Sequence, residues 1–168
     1  MLWGAHESEA GPVDRSSQVG GVDEVVRRSG SRPGRSGTGG LVAAAGINRY
    51  ASLFEHTAFA HLDRPALQDG IGRILATGSH DGKKGFTEAH FHTGPELEAE
   101  MREAGFTDIR VYGVEGPAWA LLKATEQHTG ESLTGSRMFT SALAAARMAE
   151  PYPDLLAAGS HLLAVGRN

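Results

Sequence analysis

Seven consecutive apolar residues, Leu41-Val42-Ala43-Ala44-Ala45-Gly46-Ile47, stand between a Gly39-Gly40 pair and Asn48. A continuous apolar run of this length, closed at both ends by turn residues, fits a strand buried on both faces, as in a parallel sheet. A buried helical segment reads similarly, but seven residues are short for a helix. The run is also too short to span a bilayer. It therefore directs the chain towards an α/β layer architecture whose helices cover the sheet.

The residues before this run have a different composition. Between Gly11 and Gly40 there is no Leu, Ile, Met or aromatic residue, and Gly, Ser, Arg and Pro dominate. Valines at 19, 22, 25 and 26 allow a short helix from Val22 to Arg28, but its apolar face is thin. Ser29 to Thr38 cannot bury enough apolar area to offset the entropy of ordering, so residues 1–38 read as a flexible, Gly/Ser/Arg-rich segment. Five acidic and five basic residues balance up to position 40, and 15 acidic against 11 basic beyond it give the net charge of −4. Such a charge gives no footing on a nucleic-acid backbone or an anionic membrane surface. The absence of cysteine excludes disulfides, thiolate metal sites and cysteine nucleophiles. Met1 to Glu7 carries neither the basic start nor the apolar stretch of a secretory signal, and a cytoplasmic protein is the expectation.

From residue 41 onward the pattern is that of a single domain, 39–168. Leu53, Phe54, Ala58 and Leu62 have helical spacing over Ala51 to Leu62, and Asp63-Arg64-Pro65 ends that stretch. Leu67, Ile71, Ile74 and Leu75 form a stripe over Ala66 to Ala76, weakened by Gly70 and Gly72. Thr77 to Gly85 reads as a polar loop and Phe86 to Phe91 as extended. Thr93-Gly94-Pro95-Glu96 is a capping box with proline in the first turn. It predicts a helix to about Ala104, with Leu97 and Met101 inward and Gly105 just past its end. Ile109 to Val114 reads as a strand, Ala118 to Ala124 as a short helix followed by a polar loop to Gly135, and Ser136 to Glu150 as an alanine-rich helix stopped by Pro151. Pro153 to Ala158 predicts a helical turn, and His161 to Arg167 a closing strand.

Several of these residues carry a family resemblance. Gly39 to Tyr50 resembles the strand that follows an Arg-Pro-Gly-Gly turn in class I S-adenosylmethionine (SAM)-dependent methyltransferases. Phe91-His92 with Pro95-Glu96-Leu97 and Glu103-Ala104-Gly105-Phe106 is similar to the helix that comes next in that family. Val114-Glu115-Gly116-Pro117 with Trp119, and the closing His161 to Arg167, fit the same bacterial subgroup. The likeness covers about 41–168. It implies a partial Rossmann-like methyltransferase sheet: Leu41–Ile47 as the fifth strand of seven, Ile109–Val114 as the sixth, and His161–Arg167 as the antiparallel seventh, inserted beside the fifth, with flanking helices. In the family SAM lies across the first four strands, on a glycine-rich loop after the first and an acidic residue ending the second. Gly37-Thr38-Gly39-Gly40 is the nearest glycine cluster, and no strand pattern precedes it nor helix pattern follows it. The resemblance thus implies a chain with no cofactor-binding residues of its own, which alone neither holds SAM nor acts. The bias of residues 1–38 is what a GC-rich coding sequence gives out of frame, so a frameshifted or misassigned start is expected.

The candidate substrate-binding residues follow from where ligands meet open α/β sheets, at the carboxyl ends of parallel strands. Asn48, Arg49 and Tyr50 end the first strand and either line a small-molecule acceptor pocket, with Arg49 pairing an acidic group, or form an ordinary strand-to-helix turn. Glu115 ends the next strand, either orienting a hydroxyl or amine or serving as a turn carboxylate. His90 and His92 point the same way on an extended segment; they would make half of a metal site, but no third ligand lies near in sequence, and His92 equally suits packing at the helix entry. No metal set and no catalytic side chain is assigned, because methyl transfer from a sulfonium rests mainly on alignment. His80, Asp81, Lys83 and Lys84 make a polar loop, either a lid or a solvated turn, and His161 reads as structural. The alternative function is a non-catalytic interaction module: a half-sheet leaves one edge of Leu41–Ile47 unpaired and open to self-association.

Overall fold

The computed structural model describes residues 39–82 and 87–168. The expectations for residues 1–38 and for Lys83 and Lys84 lie outside the described residues. The chain folds as α/β, with a five-stranded mixed open sheet and six helices among the described residues. The elements run β1 (Leu41–Asn48), α1 (Ala51–Ala58), α2 (Pro65–Thr77), β2 (Ser79–Asp81), β3 (Glu88–His92), α3 (Gly94–Glu103), β4 (Thr107–Val114), α4 (Trp119–Thr129), α5 (Arg137–Ala149), α6 (Pro153–Leu156) and β5 (His161–Arg167). Among the described residues no helix is long and apolar enough to cross a membrane.

The sheet order is β2-β3-β1-β5-β4. The last strand is antiparallel to both neighbours, pairing Leu41 to Ile47 of β1 on one side and β4 on the other, so β1 and β4 run in the same direction. On its far side β1 pairs with β3 in parallel only at Ile47↔Phe91 and Asn48↔His92. Among the described residues, therefore, Leu41 to Gly46 of β1 has no sheet partner on that side.

The expected double burial of this strand is corrected by the structure. Ala44 is buried at 2 % exposure, whereas Leu41 is 70 % exposed and Ala43 and Ala45 are also exposed. One face of β1 joins Leu97, Met101, Phe106, Leu162 and Ala164 in the core, with Val42, Ile109 and Val111 packed against it; helix α3 closes that layer. Among the described residues the opposite face has no comparable cover over β1. Small side chains account for the misreading, since alanine gains little by burial and tolerates water.

Local signals place the helices. The capping box is formed: Glu96 N–H donates to Thr93 Oγ1 at 3.4 Å, and Thr93 N–H donates to Glu96 Oε2 at 2.8 Å. Leu97 and Met101 point inward, as their spacing requires, and Gly105 follows at φ +93°. Helix α1 ends at Ala58, a turn before the Asp63-Arg64-Pro65 break, and α4 continues to Thr129 through residues read as loop. Lys123 Nζ of α4 reaches Glu55 Oε1 of α1 at 2.6 Å and ties these helices together. The stretch read as a polar loop holds β2, whose Ser79, His80 and Asp81 pair with His90, Ala89 and Glu88.

Gly78 joins α2 to this hairpin. Its φ of +75° closes the helix, its N–H donates to Ile74 O at 2.7 Å, and its carbonyl accepts from Phe91 N–H at 2.7 Å. A Cβ there would lie 2.5 Å from Arg49 Nη2, 2.5 Å from His90 Cε1 and 2.7 Å from the Phe91 carbonyl. Backbone strain and a clash with a fixed carbonyl act together, so Gly78→Ala is expected to destabilise the fold by about 1–3 kcal/mol in urea denaturation. A loss within error of zero would show that this junction yields easily.

Candidate functional site

Strands β1, β3 and β4 all end on one edge of the sheet, where β5 begins. The pairs Asn48↔His92, Ile47↔His161 and Val114↔His161 fix the order along that edge. All five residues expected at a site lie here. Asn48, Arg49, Tyr50 and His92 are neighbours; Glu115 stands two strand spacings away, about 10 Å along the edge.

Asn48 is committed to the interior. It is 1 % exposed, and its Nδ2 lies 3.2, 3.0 and 2.7 Å from the carbonyl oxygens of Leu156, Ala157 and Gly159. Its Oδ1 accepts from Tyr50 N–H at 3.2 Å. One side chain thus holds the segment between α6 and β5 against the end of β1 and sets the turn into α1. Arg49 finds its acidic partner within the chain. Its Nη2 lies 2.7 Å from both Glu96 carboxylate oxygens, and its Nε–H donates to Phe91 O at 3.2 Å. Tyr50 is half-buried at the N-cap of α1.

Partial burial pushes the Glu96 carboxyl up, but hydrogen bonds from Thr93 and the Arg49 guanidinium outweigh it and hold the group below its ordinary value. The same carboxylate therefore caps α3 and anchors β1 to β3.

His92 is buried at 7 % exposure. Its Nε2 lies 3.2 and 3.3 Å from the Glu100 oxygens, and its Nδ1 is buried without a hydrogen-bond partner among the described residues. His90 meets it edge-on, with ring centroids 4.7 Å apart. Ligand atoms of His90, His92 and Glu100 all lie within 4.8 Å of one another. Sequence reading missed Glu100, because nothing local relates a residue on α3 to the strand before it. The available signal was the capping box itself: it starts the helix directly after His92, and the return of Leu97 and Met101 onto the sheet keeps the second turn of α3, with Glu100, within reach of the end of β3.

Glu115 makes the second polar group on the edge. Its backbone has φ +69°, an uncommon conformation for a residue with a side chain. Its Oε2 accepts from His161 N–H at 3.2 Å, and its Oε1 lies 2.7 Å from His161 Nδ1. The His161 imidazole is half-exposed. His161, read from the sequence as structural, is thus held by a carboxylate at both its backbone N–H and its ring.

A cavity of about 180 Å³ lies elsewhere, lined by Ser52, His56, Arg73, His80 and Asp81 among others, below the usual range of about 300–1,000 Å³ for small-molecule sites. None of the five expected residues lines it. Burial, and then the neighbouring His61, hold His56 below the ordinary imidazole value.

In comparisons with known proteins, no family model matches the chain and no curated protein matches it.

Two predictions separate the framework from the reactive groups. Asn48→Ala removes the donor of the buried Gly159 carbonyl and of the half-buried Leu156 and Ala157 carbonyls and should cost about 2–4 kcal/mol in chemical denaturation; a loss below about 1 kcal/mol would remove its framework role. Glu96→Gln should cost about 1 kcal/mol at neutral pH. Because the folded carboxyl titrates below its unfolded value, its contribution is complete above the ordinary value of 4.5 and is lost as pH falls through the folded value. The stability gap between wild type and Glu96→Gln should therefore close in acid, and a gap independent of pH would contradict the ion pair.

Proposed function

We propose that residues 39–168 are the acceptor-side part of a class I SAM-dependent methyltransferase sheet acting on a small molecule. The observation that carries this reading is the position of β5, antiparallel between β1 and β4, which run in one direction. That arrangement agrees with the expected fifth, seventh and sixth strands. Further support comes from the clustering of the expected residues at the carboxyl edge, where open α/β sheets meet their ligands.

In this reading Asn48 and Arg49 shape the edge through internal contacts, and Tyr50 borders the acceptor. SAM, held by residues outside 39–168, would supply the methyl group; of this chain's own residues, His161, oriented by Glu115 through Nδ1, would take the proton of an acceptor hydroxyl or amine. No glycine-rich turn for SAM follows a strand in this sequence, so the chain by itself does not seat the cofactor.

Calorimetric titration of the chain with SAM is expected to show no binding tighter than about 1 mM, equivalent to roughly −4 kcal/mol. A micromolar constant would overturn the cofactor part of the reading.

One observation favours a second reading, an interaction module. Leu41 to Gly46 has no sheet partner on its β3 side among the described residues, and Leu41 is 70 % exposed. Such an edge invites pairing with another chain. Concentration-dependent association in sedimentation velocity is the expected outcome of that reading, and a monomer at every concentration removes the self-pairing form of it.

A further inference from the structure

We propose that His90, His92 and Glu100 form a binding site for a divalent transition-metal cation of the zinc type, independently of any methyl transfer. Their ligand atoms lie within 4.8 Å of one another, and they come from the end of β3 and the second turn of the helix that follows it. Two neutral imidazoles and one carboxylate are the donors that borderline divalent ions take, and three protein ligands leave a fourth position for water.

The burial pattern fits a site with one fixed and two adjustable ligands. His92 is held in the interior, while His90 is exposed and Glu100 half-buried. Ligand atoms around a tetrahedral zinc ion stand closer than 4.8 Å, since each bond is about 2.0–2.2 Å. Rotation of the His90 and Glu100 side chains brings them in without moving the backbone.

His92 would bind through Nε2, the ring nitrogen that already faces Glu100 at 3.2 Å. Its Nδ1, buried with no hydrogen-bond partner among the described residues, faces Gly46 and would carry the ring proton. Gly46 gives the ring its room: a Cβ at that position would stand 3.1 Å from His92 Nδ1.

The test is calorimetric titration of the full, untagged chain with zinc sulfate, repeated on His90→Ala and Glu100→Gln. Both substitutions fall on side chains that reach solvent, so the fold should persist by circular dichroism. Wild type is expected to bind one ion per chain with a micromolar Kd, and each variant to bind about tenfold or more weakly. Cobalt(II) in place of zinc should give visible absorption bands of a tetrahedral ion, lost in His90→Ala. No saturable binding by wild type below about 1 mM, or a wild-type Kd in either variant, overturns the proposal.

Discussion

The edge of the sheet depends on one buried amide. Asn48 offers Nδ2 to three carbonyls in the stretch leading into β5 and Oδ1 to the turn that begins α1. Without it the buried Gly159 carbonyl would lose its 2.7 Å donor, at a cost of about 1–3 kcal/mol. The amide therefore fixes where β5 starts. That in turn sets the register of the antiparallel ladder and puts His161 opposite both Ile47 and Val114. Because side chains alternate along a strand, a slip of one residue would reverse which side of β5 meets the core.

Arg49 performs the matching task on the other side of β1. Its guanidinium joins Glu96 and the Phe91 carbonyl, and Gly78 leaves the space in which it sits. The parallel contact between β1 and β3 is only two residue pairs long. An ion pair from a largely buried arginine supplies what so short a ladder cannot. The partner carboxylate is also the cap of α3, so the position of the helix and the pairing of the strands are coupled through one side chain.

What could be read in advance was whatever the chain decides locally. Thr93, Pro95 and Glu96 specify a helix start within four residues, and the spacing of Leu97 and Met101 names its inner face. Beta-branched residues marked β4 in the same way. Features set by distant partners were not legible. Ser79-His80-Asp81 has no strand signature and is extended because β3 lies beside it. Thr125 to Thr129 prolongs α4 although its residues are polar, since a helix already nucleated adds turns at low cost. The run from Leu41 to Ile47 was read as buried on both sides because hydropathy cannot tell a covered alanine from a bare one. Among the candidate residues, the gathering of Asn48, Arg49, Tyr50, His92 and Glu115 on one edge followed from strand direction alone. Their partners Glu96, Glu100 and His161 required the fold.

The two histidine–carboxylate pairs on this edge differ in a way that sorts their chemistry. Glu115 binds the ring and the backbone of His161 together, in a strained conformation, and leaves an imidazole half open to water. A ring so oriented can exchange a proton with a molecule outside. Glu100 instead faces a buried ring, with a second imidazole edge-on to it and a ring nitrogen left without a partner among the described residues. Proton exchange with solvent is hindered there, whereas three donors converging from a strand and a helix suit a compact positive charge. The same pair of residue types thus meets two settings, one where a strand begins at the surface and one where the imidazole is buried at the end of β3.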